Sequence, residues 1–355
     1  MVEINLQDAE IAHQIQLIKA GNQLGNDVKP YIKNLMAYVR EVLSRSDTIT
    51  TIKQRDEYIK LILAKVDSEL GSYTEELQKS LTEIAKEEIN FNAAILANGT
   101  LVAKSAIKRP KQKDLKKLIN NTYMVLGGKA KSVDEYLGEF ASVQGKSIKD
   151  IIIAGWSNGE TTSSIARQIV GTTTVNGQSQ IILKGAMMRA KDLTSHVSSV
   201  SKAKFGEDNR GVIIGEETVA TLDSRTSDYC QNADGQVYLY SKYGDKVPRP
   251  PFHPFCRSTN IFVVSDEYKV DDHGTRPSVV DGEAKEVSTK ETYFEWAKRQ
   301  PMAFKEEALG KTRAQILDNM SAAEFKKVAY NQLGESISIE EMIKRSKTVA
   351  KLLKE

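Results

Sequence analysis

The sequence predicts an α+β protein with a helical N-terminal domain, a small antiparallel β-sheet domain carrying a Cys/His/Pro-rich crossover, and a helical C-terminal tail. Three observations carry this. Apolar residues recur at helical spacing through the first hundred positions. Four short runs rich in β-branched and aromatic residues fall between positions 211 and 264. Four of the eight prolines lie between the last two of those runs. A chain of 355 residues is too long for one small core. The divisions expected are a helical domain at 1–103, a basic linker at 104–131, an α+β domain at 132–265, a charged linker at 266–290 and a helical tail at 291–355.

In the first segment Ile4, Ile11, Ile15 and Ile18 lay one stripe along a helix that Gly21 and Gly25 should interrupt. A second helix should start near Pro30 and present Ile32, Leu35, Met36, Val39 and Leu43 on one face, with 44–51 as a connection. The pattern resumes over 56–70 through Ile59, Ile62, Leu63 and Val66, and over 73–96 through Leu77, Leu81, Ile84 and Ile95. Such stripes predict helical hairpins or a bundle around a core. A long helix pair reaching out to grip another protein is the other reading.

The charge pattern then changes. Lys104, Lys108, Arg109, Lys111, Lys113, Lys116, Lys117, Lys129 and Lys131 face a single acid, Asp114. Such a segment is either a solvated linker or a set of phosphate contacts on duplex DNA. Helices are expected again at 133–140, 148–156 and 162–170, the last with a hydroxyl N-cap. A longer helix at 185–205 carries Arg189, Thr194 and His196. His196, like His13, reads as an ordinary packing residue.

Strands are expected at 211–215, 217–222, 236–240 and 259–264, paired as a small antiparallel sheet. Pro248, Pro250, Pro251 and Pro254 cannot donate ladder hydrogen bonds, so they belong in the crossover that returns the chain to the final strand. His253 and Cys256 sit where it rejoins the sheet. Cys230, after the strand ending near Leu222, should face them across the sheet edge. Tetrahedral zinc accepts such ligands, with Asp228, Asp223 or a water as the fourth. The 22 residues between Cys230 and His253 are not the spacing of a standard finger. Asp223 and Arg225 are suited to pin the crossover by charge-assisted bonds. A structural clasp is the favoured reading. A thiol hydrolase would need an activating environment at Cys230 or Cys256 that the sequence does not supply. An HNH-type nuclease would need a second histidine and an asparagine on a following helix, whereas Asp272-His273 falls in the charged segment.

In the tail Tyr293, Phe294, Trp296 and Phe304 form an aromatic patch that should dock onto the sheet domain, and Pro301 should break the helix before Leu309-Gly310. A last amphipathic helix at 339–353 runs through Ile339, Met342, Ile343, Val349 and Leu352, with Lys344, Arg345, Lys347, Lys351 and Lys354 as its basic positions.

Composition narrows the class. Fifty basic against forty-seven acidic residues give a net charge of +3, which excludes a histone-like or strongly acidic chain. Two cysteines, no apolar run near 18 residues and no charged-then-apolar leader argue against a disulfide scaffold, a membrane span and a signal peptide. A soluble protein made in a cytoplasm is expected.

The ordered set Asp223, Arg225, Thr226, Cys230, Asp234, Gly235, Pro250, Pro251, His253, Pro254, Cys256 and Arg257 resembles the signature of the Mu F-like phage minor head proteins, the phage head morphogenesis family. Trp296, Pro301, Leu309, Gly310 and Arg313 look like that family's tail motif, and together the motifs cover roughly 160–335. Many members carry further cysteines where this chain has Ser227 and Ser258. The resemblance implies a noncatalytic virion protein inside the capsid near the portal, made in the host cytoplasm and acting in head assembly, DNA packaging or DNA ejection. Its implied partners are the portal protein, the capsid interior and packaged double-stranded DNA, the last through Lys108, Arg109, Lys111, Lys113, Lys116 and Lys117. Zinc at Cys230, His253 and Cys256 is the implied metal. The alternative is a phage nuclease or toxin with the knot as a zinc-supported site.

Overall fold

The computed structural model describes residues 6–45, 51–126, 129–172, 176–270 and 274–353. Ile4, Asp272, His273 and Lys354, which the sequence reading used, lie outside the described residues. The architecture is α+β, predominantly helical with two- and three-stranded antiparallel sheets. The chain forms two compact units that interleave in sequence. One comprises Leu17–Glu88 and Lys111–Ser201, the other Met1–Gln16, Ile89–Pro110 and Lys202–Glu355.

The first unit is a helical core. It draws on α1 (Leu6–Asn26), α2 (Lys29–Ser44), α3 (Ile52–Gly99), α4 (Gln112–Asn121), the hairpin β1 (Met124–Leu126) and β2 (Lys129–Lys131), α5 (Val133–Ser157), α6 (Thr162–Val170) and α7 (Gln178–Asp208). Val28, Leu35, Val39, Ile62, Leu70, Phe140, Ile148, Ile169 and Leu193 pack in one cluster. Each such side chain removed from water contributes roughly 1.5–3 kcal/mol. The α2 stripe is the predicted one, with Ile32, Leu35, Met36, Val39 and Leu43 buried and a proline in its first turn.

Several expected breaks are absent. Gly21 and Gly25 lie inside α1 because they bring it close to α7: a Cβ at Gly25 would sit 2.6 Å from the Met187 Cα, and one at Gly21 3.1 Å from the Lys191 Cα. The stretches 56–70 and 73–96 are one 48-residue helix, since a single Gly71 costs a helix only about 1 kcal/mol. Residues 133–140 and 148–156 likewise join in α5, which a Ser132–Glu135 capping box starts. The basic stretch at 104–131 is not a bare connection, because Leu115 and Ile119 give α4 a buried side and a hairpin follows. Among the described residues, no helix is long and apolar enough to cross a membrane.

The second unit is built on β3 (Ile213–Val219), α8 (Asp228–Ala233), β4 (Val237–Leu239), α9 (Tyr240–Tyr243) and β5 (Thr259–Val264). The strand order is β4-β3-β5, all antiparallel, with Glu216 opposite Tyr238 and Phe262. The two strands expected at 211–215 and 217–222 are one strand with a register shift between Ile213 and Gly215. The long crossover from β4 to β5 holds all four prolines, as predicted, and the Pro250–Pro251 bond is cis.

The stretch read as a charged linker at 266–290 contains a hairpin, β6 (Thr275–Val280) and β7 (Glu283–Ser288). Its inward residues are Arg276 and Ser278, so no apolar alternation marks it. The tail follows as α10 (Tyr293–Lys298), α11 (Met302–Leu309), α12 (Lys311–Asp318), α13 (Ala322–Ala329), α14 (Ile339–Arg345) and α15 (Lys347–Leu352). The single last helix expected is two, parted at Ser346, whose hydroxyl caps α15. Tyr293, Phe294, Trp296 and Phe304 pack with Leu222, Ile316, Phe325 and Met342, which seats the tail against the sheet domain's knot.

Candidate metal centre

Ser227 caps α8, its Oγ accepting from the Cys230 N–H at 3.4 Å, so the first turn of that helix fixes Cys230. Cys230 therefore sits in a helix and not at a strand end. On the other side His253-Pro254-Phe255-Cys256 is a tight turn, closed by the Cys256 N–H to the His253 carbonyl at 3.1 Å, with Phe255 at a φ of 60°. That conformation is one an L-residue adopts only under constraint.

The two elements bring three ligand atoms within 4.8 Å of one another. Cys230 Sγ lies 3.2 Å from His253 Nε2 and 3.8 Å from Cys256 Sγ. Both cysteines are buried and neither forms a disulfide. With metal–sulfur bonds of about 2.3 Å and metal–nitrogen bonds of about 2.0 Å, a tetrahedral ion sets sulfur–sulfur separations near about 3.8 Å and sulfur–nitrogen separations near about 3.5 Å. The first matches and the second is a few tenths of an ångström short. His253 Nδ1 faces the Pro254 carbonyl at 2.9 Å, so it carries the proton and Nε2 is turned toward the sulfurs. Cys230 is pushed up by its hydrogen bond with Cys256 and by burial. Cys256 is held well below its ordinary value by the same bond, against burial, with His253 adding to the effect. Two cysteine sulfurs and an oriented imidazole fit a thiophilic divalent ion.

The proposed fourth ligands lie elsewhere. Asp228 pairs with Arg313 at 3.2 Å, and Asp223 forms the clasp beside the centre. Its Oδ2 is 2.5 Å from Arg257 Nη1 and its Oδ1 2.8 Å from Arg257 Nη2. Burial alone would raise the Asp223 carboxyl, but Arg257 and Thr226 bring it below its ordinary value. Thr226 Oγ1 donates to the Thr221 carbonyl at 2.5 Å. Arg225, expected to share the pinning, points its side chain largely into solvent, with a 3.4 Å contact to Asp223. Pro251 is buried in the crossover, and Gly235 (φ 72°) makes the turn after α8, where a Cβ would meet Thr292 at 2.7 Å.

The knot is also tied to the tail. Asp234 accepts from Arg276, from Ala220 N and from Tyr293 N. Of the tail motif, Trp296 is buried between Tyr293 and Phe304, Pro301 precedes α11, Leu309 ends it, and Gly310 (φ 78°) turns the chain into α12. Arg313 reaches Asp228 and the Ile337 carbonyl.

Sequence reasoning named Ser227 and Ser258 only as departures from the motif, with no role, and missed Glu216. Ser227 and Ser258 both lie against the cysteines: Ser227 Oγ is 2.9 Å from His253 Nε2, and the Ser258 side chain bonds to Cys230. Glu216 is wholly buried on β3, where Arg249, Tyr240 and Asn260 bond to it. A pair of acids, Glu216 and Glu217, inside a β-branched run was the available signal. The six basic residues Lys108, Arg109, Lys111, Lys113, Lys116 and Lys117 are all exposed, and Arg109 Nη1 donates to Asn90 Oδ1. On α4 Lys113, Lys116 and Lys117 share the side opposite Leu115 and Ile119. His13 stacks on Phe91 and His196 is buried in its helical unit. Neither family models, nor curated proteins, nor solved structures match the chain.

Proposed function

We propose that this chain is a minor head protein of a tailed phage, a virion structural component associated with the portal or the capsid interior during head assembly, DNA packaging or DNA ejection. One observation supports a noncatalytic role above all: the polar residues of the knot hold its parts to one another. Asp223 grips Arg257, Asp234 grips Arg276 and the tail, and both thiols are buried against each other. A thiol nucleophile needs access, and these have almost none.

In this reading zinc is the ion held by Cys230, His253 and Cys256, where it would cross-link α8 to the crossover and add folding free energy. The exposed lysines of α4 would meet phosphates of the packaged duplex, and helical surfaces would meet the portal. Quantitative mass spectrometry of purified phage particles tests the assignment by counting this chain against portal and major capsid proteins. A few to tens of copies per particle is the expected result. Absence from particles, together with metal-dependent cleavage of DNA by the purified chain, would overturn it in favour of the nuclease.

A further inference from the structure

We propose that Ser227 supplies the fourth donor of the metal centre, so that two cysteines, one histidine and one serine hold the ion without Asp228 or an outside water. This rests on the zinc reading above. Ser227 Oγ is 2.9 Å from His253 Nε2, and its hydroxyl is fixed by accepting from the Cys230 N–H. Its hydroxyl also bonds to the Cys230 side chain, and it stands beside the imidazole nitrogen that is turned away from the Pro254 carbonyl. For bonds of about 2.0 Å a tetrahedral oxygen–nitrogen edge is about 3.3 Å, so a shift of a few tenths of an ångström opens the set around an ion. Asp228 is turned to Arg313 and falls outside the ligand group. Ser258 is buried and bonds to Cys230 as Ser227 does; Ser227 is preferred as the donor because its hydroxyl also stands 2.9 Å from His253 Nε2.

Without metal, the Ser227 hydroxyl proton faces the Nε2 lone pair, because Nδ1 carries the ring proton. A bound ion would take a lone pair from each of Nε2 and Ser227 Oγ and would be held by Cys230 and Cys256 as thiolates, their thiol protons leaving to solvent. The Ser227 hydroxyl hydrogen turns outward. No oxidation or reduction is involved.

Cobalt(II) titration of the full chain tests this, since four-coordinate cobalt shows strong visible bands and thiolate charge-transfer absorption proportional to the number of sulfurs. The wild type should show tetrahedral bands with two-thiolate intensity. Ser227→Cys should raise the charge-transfer intensity by about half, as three thiolates replace two. Ser227→Ala should weaken cobalt affinity by about tenfold or more, the least that loss of even an outer partner costs, and Ser227→Thr should restore it. Ser258→Ala should keep the tetrahedral bands and two-thiolate intensity. Circular dichroism of each variant separates a lost ligand from a lost helix cap. An unchanged charge-transfer band in Ser227→Cys, or unchanged affinity in folded Ser227→Ala, overturns the Ser227 assignment while leaving zinc at the three-residue set. A wild type with no thiolate band overturns the zinc reading and this inference with it.

Discussion

Asp234 and Arg276, 42 residues apart in sequence, face each other in two parallel hydrogen bonds of 2.9 and 2.7 Å with both side chains buried. The same carboxylate accepts from the backbone N–H groups of Ala220 and Tyr293, so one acid joins the end of the sheet, the hairpin and the first tail helix. Removing one partner of such a pair leaves an uncompensated buried charge. Arg276→Ala should therefore lower stability by about 3–5 kcal/mol, read as a shift in urea midpoint. Replacing both partners by apolar residues should not rescue it, because the two N–H groups would be left without an acceptor. A neutral double variant would show that the pair is dispensable.

The tail makes a second prediction. Trp296 is about 1% exposed, edge-on to Tyr293 at 5.5 Å and to Phe304 at 5.0 Å. Trp296→Ala should cost about 3–5 kcal/mol by opening a cavity. Tyr293→Phe should cost about 1 kcal/mol by removing the hydroxyl that donates to the Asp223 carbonyl at 2.9 Å. Limited proteolysis should cut the tail of Trp296→Ala before the rest of the chain. Equal protection of both variants would mean that the aromatic patch does not hold it.

What the sequence makes legible follows from where each signal resides. The α2 stripe, the β5 run and the prolines of the crossover announce themselves because burial there is apolar or because proline removes a donor. The β6–β7 hairpin is silent because its inward positions are Arg276 and Ser278, whose partners lie far away in sequence. Gly25 reads as a break because its cause, the backbone of α7 at Met187, is remote. At the site the two cysteines and His253 are visible as residue types. Ser227 stands out in the sequence only as a departure from a cysteine-bearing motif, and only the fold puts its hydroxyl beside Nε2.

His196 supplies a pH test in the helical unit. Burial pushes its imidazole down to about 4 from 6.5, opposed by a backbone hydrogen bond with Thr122. The unfolded chain then takes up a proton that the folded chain refuses, so stability present above pH 6.5 is lost as pH falls toward 4. A difference of this size corresponds to about 3 kcal/mol. Carboxylates also titrate in this window, so the informative quantity is the difference between wild type and His196→Asn. Urea unfolding across pH 7 to 4 should show the wild type falling more steeply. Parallel curves would mean that His196 is charged or solvated in the fold.

The knot separates clasp from catalyst. If the ion is structural, Cys256→Ser should weaken its binding while leaving the Asp223–Arg257 pair, which does not use the sulfur, in place. The wild type saturated with zinc should then be more stable than the same chain after chelation, by about 2.7 kcal/mol when free zinc is a hundred times its dissociation constant. Cys256→Ser should show little of that difference, and its metal-free form should unfold close to metal-free wild type, because a serine fills most of the same space. Asp223→Asn should do the reverse, lowering the stability of metal-free and zinc-loaded chains alike, since Arg257 loses its charged partner in both. Differential scanning calorimetry with and without chelator reads all six cases. Equal zinc stabilisation of wild type and Cys256→Ser would place the ion away from this sulfur. A nuclease lost on Cys256→Ser with unfolding unchanged would make the site a catalyst.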